Sequence, residues 1–445
     1  MSMTDPTPPS RPSLPMERRQ RLAAALPFVA TAVVVAVLGV NVLKADEWDA
    51  IGAFLIDVKQ HGLSLAALWA PHNEHRMPLP RLIFALLSWH GPHLVLGMLL
   101  SLAVLGLTFA ALFRRFVEPA LQATRTTSLR RSGLAMLFAA LYFSFGQKEN
   151  LLWNFQLAWS LALFGFVHAA LALYDRRSGR FFAGLLLCYL CSAHFVALYP
   201  LALLDSGRRL ARAHRTPSFW SEVVTAAGRL IALAALLLLY LRGAPHASLA
   251  ALRVHAAAHP LQLVGYPLAL LGNVHYWHGA DPTAPLALLG GLLFIGLLVA
   301  LWARGQLRLA DPEAYLFVAM LSLIGVISIG RAAHGLHQAL DSRYQPCTLF
   351  GWLVLLALVL RKSGQRAWVP KLVLVCLLNV QLASLSALRA AVVYDHAASA
   401  RGLACQEALL HAQQTLDRSG CAGLLYPDPA RQQALTWALH QLGLL

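Results

Sequence analysis

Long apolar runs broken by short polar segments set the pattern of this chain. The first is Ala23 to Leu43, and others follow at about 94–113, 133–146, 155–174, 181–204, 223–241, 284–303, 314–330, 347–360 and 369–388. A helix of about 20 apolar residues matches the hydrocarbon thickness of a bilayer, so these runs predict membrane-spanning helices. The run 181–204 is interrupted by Ser192-Ala193-His194 and has basic segments on both sides. It predicts two half-helices that enter and leave on one side, for about 11 segments in all. Between the first two runs, Ile51, Phe54, Leu55 and Val58 recur at helical spacing, as do Leu79, Leu82, Ile83, Leu86 and Leu87. Such amphipathic helices lie in the interface plane with their apolar faces in lipid.

Composition agrees. Of 445 residues, 58% are hydrophobic and 13% charged, and the mean hydropathy is +0.59. A water-soluble domain carries roughly 25% charged residues, so a soluble enzyme is excluded and an all-α polytopic membrane protein is expected. The net charge of +16 does not point to nucleic acid. Its positive residues sit between apolar spans and form no single basic face. The six cysteines include a single C-x-x-C pair, Cys188 and Cys191, inside an apolar run, and a zinc ribbon needs two such pairs. No repeat of solenoid period is visible.

Charge also orients the chain. With the N-terminus in the cytoplasm, 22 Lys and Arg fall inside and 13 outside, with Arg229 inside a span. Acidic residues divide the other way, 8 inside and 12 outside. The positive-inside rule then predicts an inner-membrane protein with its C-terminus in the periplasm. Residues 1–22 read as a disordered cytoplasmic tail. Residues 23–388 form the transmembrane domain, whose first helix is expected to be retained. Its first periplasmic loop is 44–92. Residues 389–445 read as a small helical periplasmic tail. Cys405 and Cys421 lie in that tail, in a compartment where disulfides persist, and are expected to pair.

Unusual polar residues collect in four outer clusters. The first is Asp46-Glu47-Trp48-Asp49, at the end of the first span. As plain structure it is a loop with an aromatic-belt Trp; as chemistry it offers a base or cation site at the mouth of a cavity. The second is His72-Asn73-Glu74-His75-Arg76. His72 and His75 could share a helix face and a metal, but Pro71 and Pro78 favour a turn in which Glu74 and Arg76 face a polar ligand. The third carries Lys148, Glu149, Asn150, Trp153 and Gln156, amides and an aromatic suited to carbohydrate or to a headgroup-level belt. The fourth carries Arg331, Arg343 and Tyr344. Two arginines at the membrane surface either hold a phosphate bidentately or snorkel. The spans themselves hold few ionisable groups, which weighs against a proton-coupled transporter and leaves a transporter or flippase as the alternative.

The acidic cluster after the first helix, the long amphipathic outer loop and the arginine loop resemble the GT-C superfamily of polytopic glycosyltransferases. The nearer likeness is to uncharacterised bacterial members, whose motifs here read Asp46–Asp49, His72–Arg76, Glu149–Gln156 and Arg331 to Tyr344. The resemblance covers the layout of about residues 1–390 and implies a GT-C-like fold. It also implies a polyprenyl-phosphate-linked sugar donor, a periplasmic glycan or lipid acceptor, and an outer-loop carboxylate as base. Asp46 matches the catalytic position, with Glu47 and Asp49 as neighbouring alternatives and Glu74 as a looser second acid. Arg76, Lys148, Arg331 and Arg343 are the cations it offers for the leaving phosphate. Some members of the superfamily use a divalent cation and others do not.

Overall fold

In the computed structural model of the protein, residues 18–73, 75–89, 91, 93–124, 126–242, 258, 260–278, 284–363, 366, 368–412 and 426–445 are described. They are helical almost throughout. The first half runs through α1 (Arg18–Leu38), α2 (Phe54–His61), α3 (Leu65–Trp69), a hairpin of β1 (Pro71–His72) and β2 (His75–Arg76), and α4 (Pro78–Leu87). It continues with α5 (Leu94–Leu112), α6 (Glu118–Ala123), α7 (Ser128–Tyr142), α8 (Lys148–Leu152), α9 (Leu157–Tyr174), α10 (Ser178–Tyr189) and α11 (Tyr199–Ala213). Then come α12 (Phe219–Leu241), α13 (Pro260–Gly272), α14 (Ala284–Ala303), α15 (Pro312–Arg331), α16 (Gln345–Ser363) and α17 (Trp368–Ala390). Two helices close the chain, α18 (Ala397–Ala412) and α19 (Pro429–Gln441).

Among the described residues, eight helices are long and apolar enough to cross a membrane: α1, α5, α9, α12, α14, α15, α16 and α17. The protein is an all-α, multi-pass membrane protein. The other two apolar runs make shorter helices. The run at 133–146 becomes α7, of 15 residues, stopped where the Ser144 side chain accepts a hydrogen bond from the Gly146 amide and turns the chain into a 3-10 segment. The run 181–204 does break at Ser192, between α10 of 12 residues and α11 of 15 residues. A 3-10 stretch, Ala193–Leu198, links the two.

Burial sorts the spans into a centre and a rim. In α16, 94% of the span is buried, against 17% in α1 and 22% in α12. The rim helices turn Val33, Val37, Val224, Ile231, Leu289, Val299 and Leu382 outward. An apolar belt of this extent would be untenable in water and is what lipid contact requires. Where helices meet closely, small residues allow it. A Cβ on Gly165 of α9 would stand 2.6 Å from the Gly184 carbonyl oxygen of α10, and one on Gly184 equally close to the Gly165 oxygen. No side chain fits there, which is how α9 and α10 pack without a hydrophobic driving force between them.

The chain after α17 is fastened to the first loop. The Asp49 carboxylate accepts hydrogen bonds from Arg431 Nε (2.8 Å) and Nη2 (2.5 Å) and from the Tyr426 hydroxyl (2.5 Å). Lys44 Nζ donates to the Leu152 carbonyl at 2.9 Å and to Ser399 Oγ at 3.3 Å. Cys405 is disulfide-bonded, and its expected partner Cys421 lies outside the described residues.

Candidate functional site

Four segments far apart in sequence line one cavity. They are the turn at Asp46, the hairpin of β1 and β2, the start of α9, and the broken run before α11; Arg343 and Tyr344 close it. Each piece has a local cause. In the hairpin, Pro71 pairs with Arg76 and His72 with His75 across a two-residue loop. Asn73 takes the left-handed conformation (φ 50) that such a loop demands and that Asn tolerates. His72 and His75 therefore stand opposite each other, and both reach the cavity.

Strand alternation sends the next residue the other way. The Arg76 guanidinium donates to the carbonyls of Trp69 (2.6 Å), Tyr240 (3.1 Å) and Arg242 (2.6 Å). It closes the ends of α3 and α12, where helices leave carbonyls without partners. The expectation that Arg76 faces a ligand is thus corrected: its guanidinium is turned to backbone carbonyls and does not line the cavity. Arg81 does similar work, donating to the carbonyls of Ala67 (3.1 Å), Leu68 (3.3 Å) and Ala70.

Within the cavity the polar groups are varied. Asp46 lines it, and among the described residues its carboxylate accepts no hydrogen bond. His75 Nδ1 accepts the Ala193 amide at 3.3 Å, which leaves its ring proton on Nε2. The His75 and His194 rings lie 5.2 Å apart, and the His194 ring stands edge-on to Trp159 at 4.2 Å. Ser192 Oγ accepts the His194 amide at 3.3 Å and meets His194 Nδ1 as well. The His72 ring packs edge-on against Phe155 at 5.4 Å. Asn73, Gln156 and Tyr344 complete the polar lining.

Arg343 is the cavity's cation. Its Nη2 donates to Asp341 Oδ2 at 2.6 Å and its backbone amide to Glu149 Oε2 at 3.0 Å. Its Nε is buried without a partner among the described residues. The enclosed space is about 90 Å³, less than the roughly 300–1,000 Å³ of pockets that engulf a whole ligand. It suits the polar end of a larger molecule.

The other expected site residues serve the frame. Glu47 is fully buried: Oε2 accepts the Lys44 amide and Oε1 the Phe155 amide, each at 2.9 Å. Burial raises its pKa to about 7 against the pull of Lys44, and burial likewise lowers the Lys44 ammonium. Asp49 holds the C-terminal helix, as described above. Lys148 pairs with Asp395. Glu149 is pushed up by burial, and its amide donates to Ser342 Oγ at 3.2 Å. Asn150 Nδ2 donates to the Ser342 carbonyl at 3.0 Å, and Trp153 packs on Phe155 at 5.5 Å. These residues fix Arg343 and the floor of the cavity. Arg331, at the end of α15, is not among the lining residues, and Glu74 lies outside the described residues.

Comparison with known proteins returns nothing: no family model, no curated protein and no solved structure matches the chain. The site must be read from its own chemistry. Among the described residues no three His, Cys, Asp or Glu side chains converge into a group that could hold a metal ion, so no step is assigned to one. Sequence reasoning missed Trp159, Cys191, Ser192 and His194 as lining residues. The signal was present, in the polar break of an otherwise apolar run.

Proposed function

We propose that the protein is a membrane glycosyltransferase of GT-C type, taking a sugar from a polyprenyl-phosphate donor to a glycan or lipid acceptor at the periplasmic face of the inner membrane. The observation that carries this reading is the meeting of an unbonded carboxylate, Asp46, with Arg343, His72 and His75 in one cavity beside the membrane. Asp46 takes the proton from the acceptor hydroxyl as the sugar carbon is attacked. Arg343 steadies the phosphate that departs, through a planar guanidinium suited to two phosphate oxygens. The histidines and amides orient sugar hydroxyls, and Trp159 and Phe155 offer flat apolar faces to a sugar ring. The lipid tail stays in the bilayer, which accords with a cavity sized for an end group.

A transporter or flippase is the competing reading, and one observation favours it. A second cavity lies at the other end of α9 and α11, as an inward vestibule would. Against it stands the layer between the two. Ala162, Leu163, Phe166, Cys188 and Leu323 there surround a void of about 10 Å³. Trp159 and His194 of the first cavity also line that void, which has room for at most about one water and none for a polar substrate.

Purified protein in liposomes separates the two readings. Transfer of sugar from a polyprenyl-phosphate donor to extracted cell-envelope acceptor, without flux of the donor across the bilayer, is the expected result. Donor flux with no transfer overturns the proposal. The acceptor comes from comparing the glycans and lipids of a deletion strain with those of its parent.

A further inference from the structure

The second cavity has a chemistry of its own. Helix α9 has 18 residues, about 27 Å of rise. It carries Trp159 at the first cavity and Tyr174 at the second, and α11 leads likewise from the His194 segment to Arg208, Arg209 and Arg212. Trp159 and Tyr174 are 15 residues apart, about 22 Å of rise, so the two cavities lie toward opposite ends of α9. It encloses about 210 Å³ and is lined by Arg176, Arg208, Arg209 and Arg212 against a single carboxylate, Asp205.

That carboxylate is already saturated. Asp205 accepts from Arg229 Nη1 at 2.8 Å, Arg209 Nε at 2.8 Å and the Tyr315 hydroxyl at 2.7 Å. Arg229 is buried behind it and by itself neutralises the charge. Nearby acids are engaged elsewhere: Asp175 with Arg115 at 2.7 Å and Glu313 with Arg361 at 2.5 Å. Among the described residues the four lining arginines face one lining carboxylate, which Arg229 already pairs. Two of the four guanidinium groups are also held in place. Arg208 donates to the Leu309 carbonyl and to the Tyr315 hydroxyl, and Arg209 Nη2 donates to the Leu173 carbonyl at 3.0 Å. Arg176 and Arg212 make no ion pair among the described residues.

Several like charges fixed around a concave polar space focus a field that an anion relieves. Planar guanidinium forks select oxyanions with paired oxygens, phosphate above all. The volume equals about seven waters, room for a diphosphate or a phosphodiester with bridging water. It lies at the ends of two spanning helices, α9 and α15, with the 15-residue α11 beside them, where basic pockets between helices take anionic lipid headgroups. We propose that this cavity is a binding site for a phosphate-bearing anion, on the membrane face opposite the first cavity. It stands whether or not the first cavity transfers sugar.

The test uses the full chain in detergent with radiolabelled pyrophosphate, and in nanodiscs containing phosphatidylglycerol with native mass spectrometry for retained lipid. Arg208→Gln/Arg212→Gln is expected to weaken pyrophosphate binding, or lower retained lipid, by about tenfold or more. Arg208→Lys/Arg212→Lys recovers part of the loss. Arg130→Gln/Arg180→Gln removes two exposed arginines elsewhere and leaves both readouts unchanged. A change in the pyrophosphate arm alone identifies a free phosphate compound as the ligand, and a change in the lipid arm identifies a headgroup. If Arg208→Gln disturbs folding, Arg212→Gln decides alone, because that side chain holds nothing else in place. Equal binding by wild type, Arg212→Gln and Arg130→Gln/Arg180→Gln in both arms overturns the proposal.

Discussion

The two cavities at the ends of α9 and α11 are built from opposite materials. The first mixes one carboxylate, one guanidinium, three imidazoles, amides and aromatic rings, on a β hairpin, 3-10 segments, turns and the start of α9. The second is three arginines of α11 and Arg176 in the turn after α9, around one saturated acid. The difference teaches what each can do. Varied groups with distinct proton affinities can move a proton and orient a neutral polar ligand. A uniform positive lining can only hold negative charge. The first lining suits proton transfer on a polar ligand, and the second suits holding an anion.

Four changes break or sharpen this contrast. The largest effect is expected at Asp46. Asp46→Asn keeps the side chain's size and breaks no hydrogen bond but removes the base, so transfer should fall by about 10²–10⁴-fold with normal protein levels. If Asp46→Asn retains transfer while Asp49→Asn loses it, the base is assigned one turn too early; the Asp49 contacts with Arg431 and Tyr426 predict a loss of stability there instead. At the other end, Asp205→Asn strands the buried Arg229 and should cost about 3–5 kcal/mol in thermal unfolding, while spared folded protein keeps its transfer rate per molecule.

Glu47 gives a pH signature. Its native pKa of about 7 stands above the ordinary 4.5, so the folded state binds the proton more tightly than the unfolded chain does. The stability it confers is full below about pH 4.5 and is lost as pH rises through about 7, by up to about 3 kcal/mol. Glu47→Gln should flatten the unfolding temperature across that window, and an unaltered pH profile would mean that Glu47 is ionised throughout. The smallest effect is expected at Arg343. Arg343→Lys keeps the charge and loses the planar fork, so donor affinity should drop about tenfold, with the unfolding temperature nearly unchanged. Unchanged affinity would make Arg343 a partner of Asp341 and nothing more.

Much of this was legible in the one-dimensional pattern. Hydropathy alone identified the eight long spans, because a helix in lipid must be apolar along its whole length. The same reasoning read the run at 133–146 as a further segment without showing that α7 stops at 15 residues, and it did read the break at Ser192 that parts α10 from α11. For the site, the sequence located Asp46, His72, Asn73, His75, Gln156, Arg343 and Tyr344, all of which the fold brings to one cavity. It could not rank them against their neighbours. Asp46, Glu47 and Asp49 are chemically alike and adjacent, yet one is unbonded, one is buried on two backbone amides and one clasps the C-terminal helix.

That division has a physical reason. Sequence by itself determined where apolar surface must be, hence the membrane, the helices and the polar segments between them, because burial in lipid depends on composition over about 20 residues. Only the tertiary structure decided which polar side chains meet a ligand and which meet backbone. That choice turns on where one residue points: strand alternation at His75 and Arg76 sends one ring to the cavity and one guanidinium to three carbonyls. It turns equally on partners supplied from more than 100 residues away, as Phe155 is to Glu47. No local pattern encodes those partners, and they fix which charges remain available for chemistry.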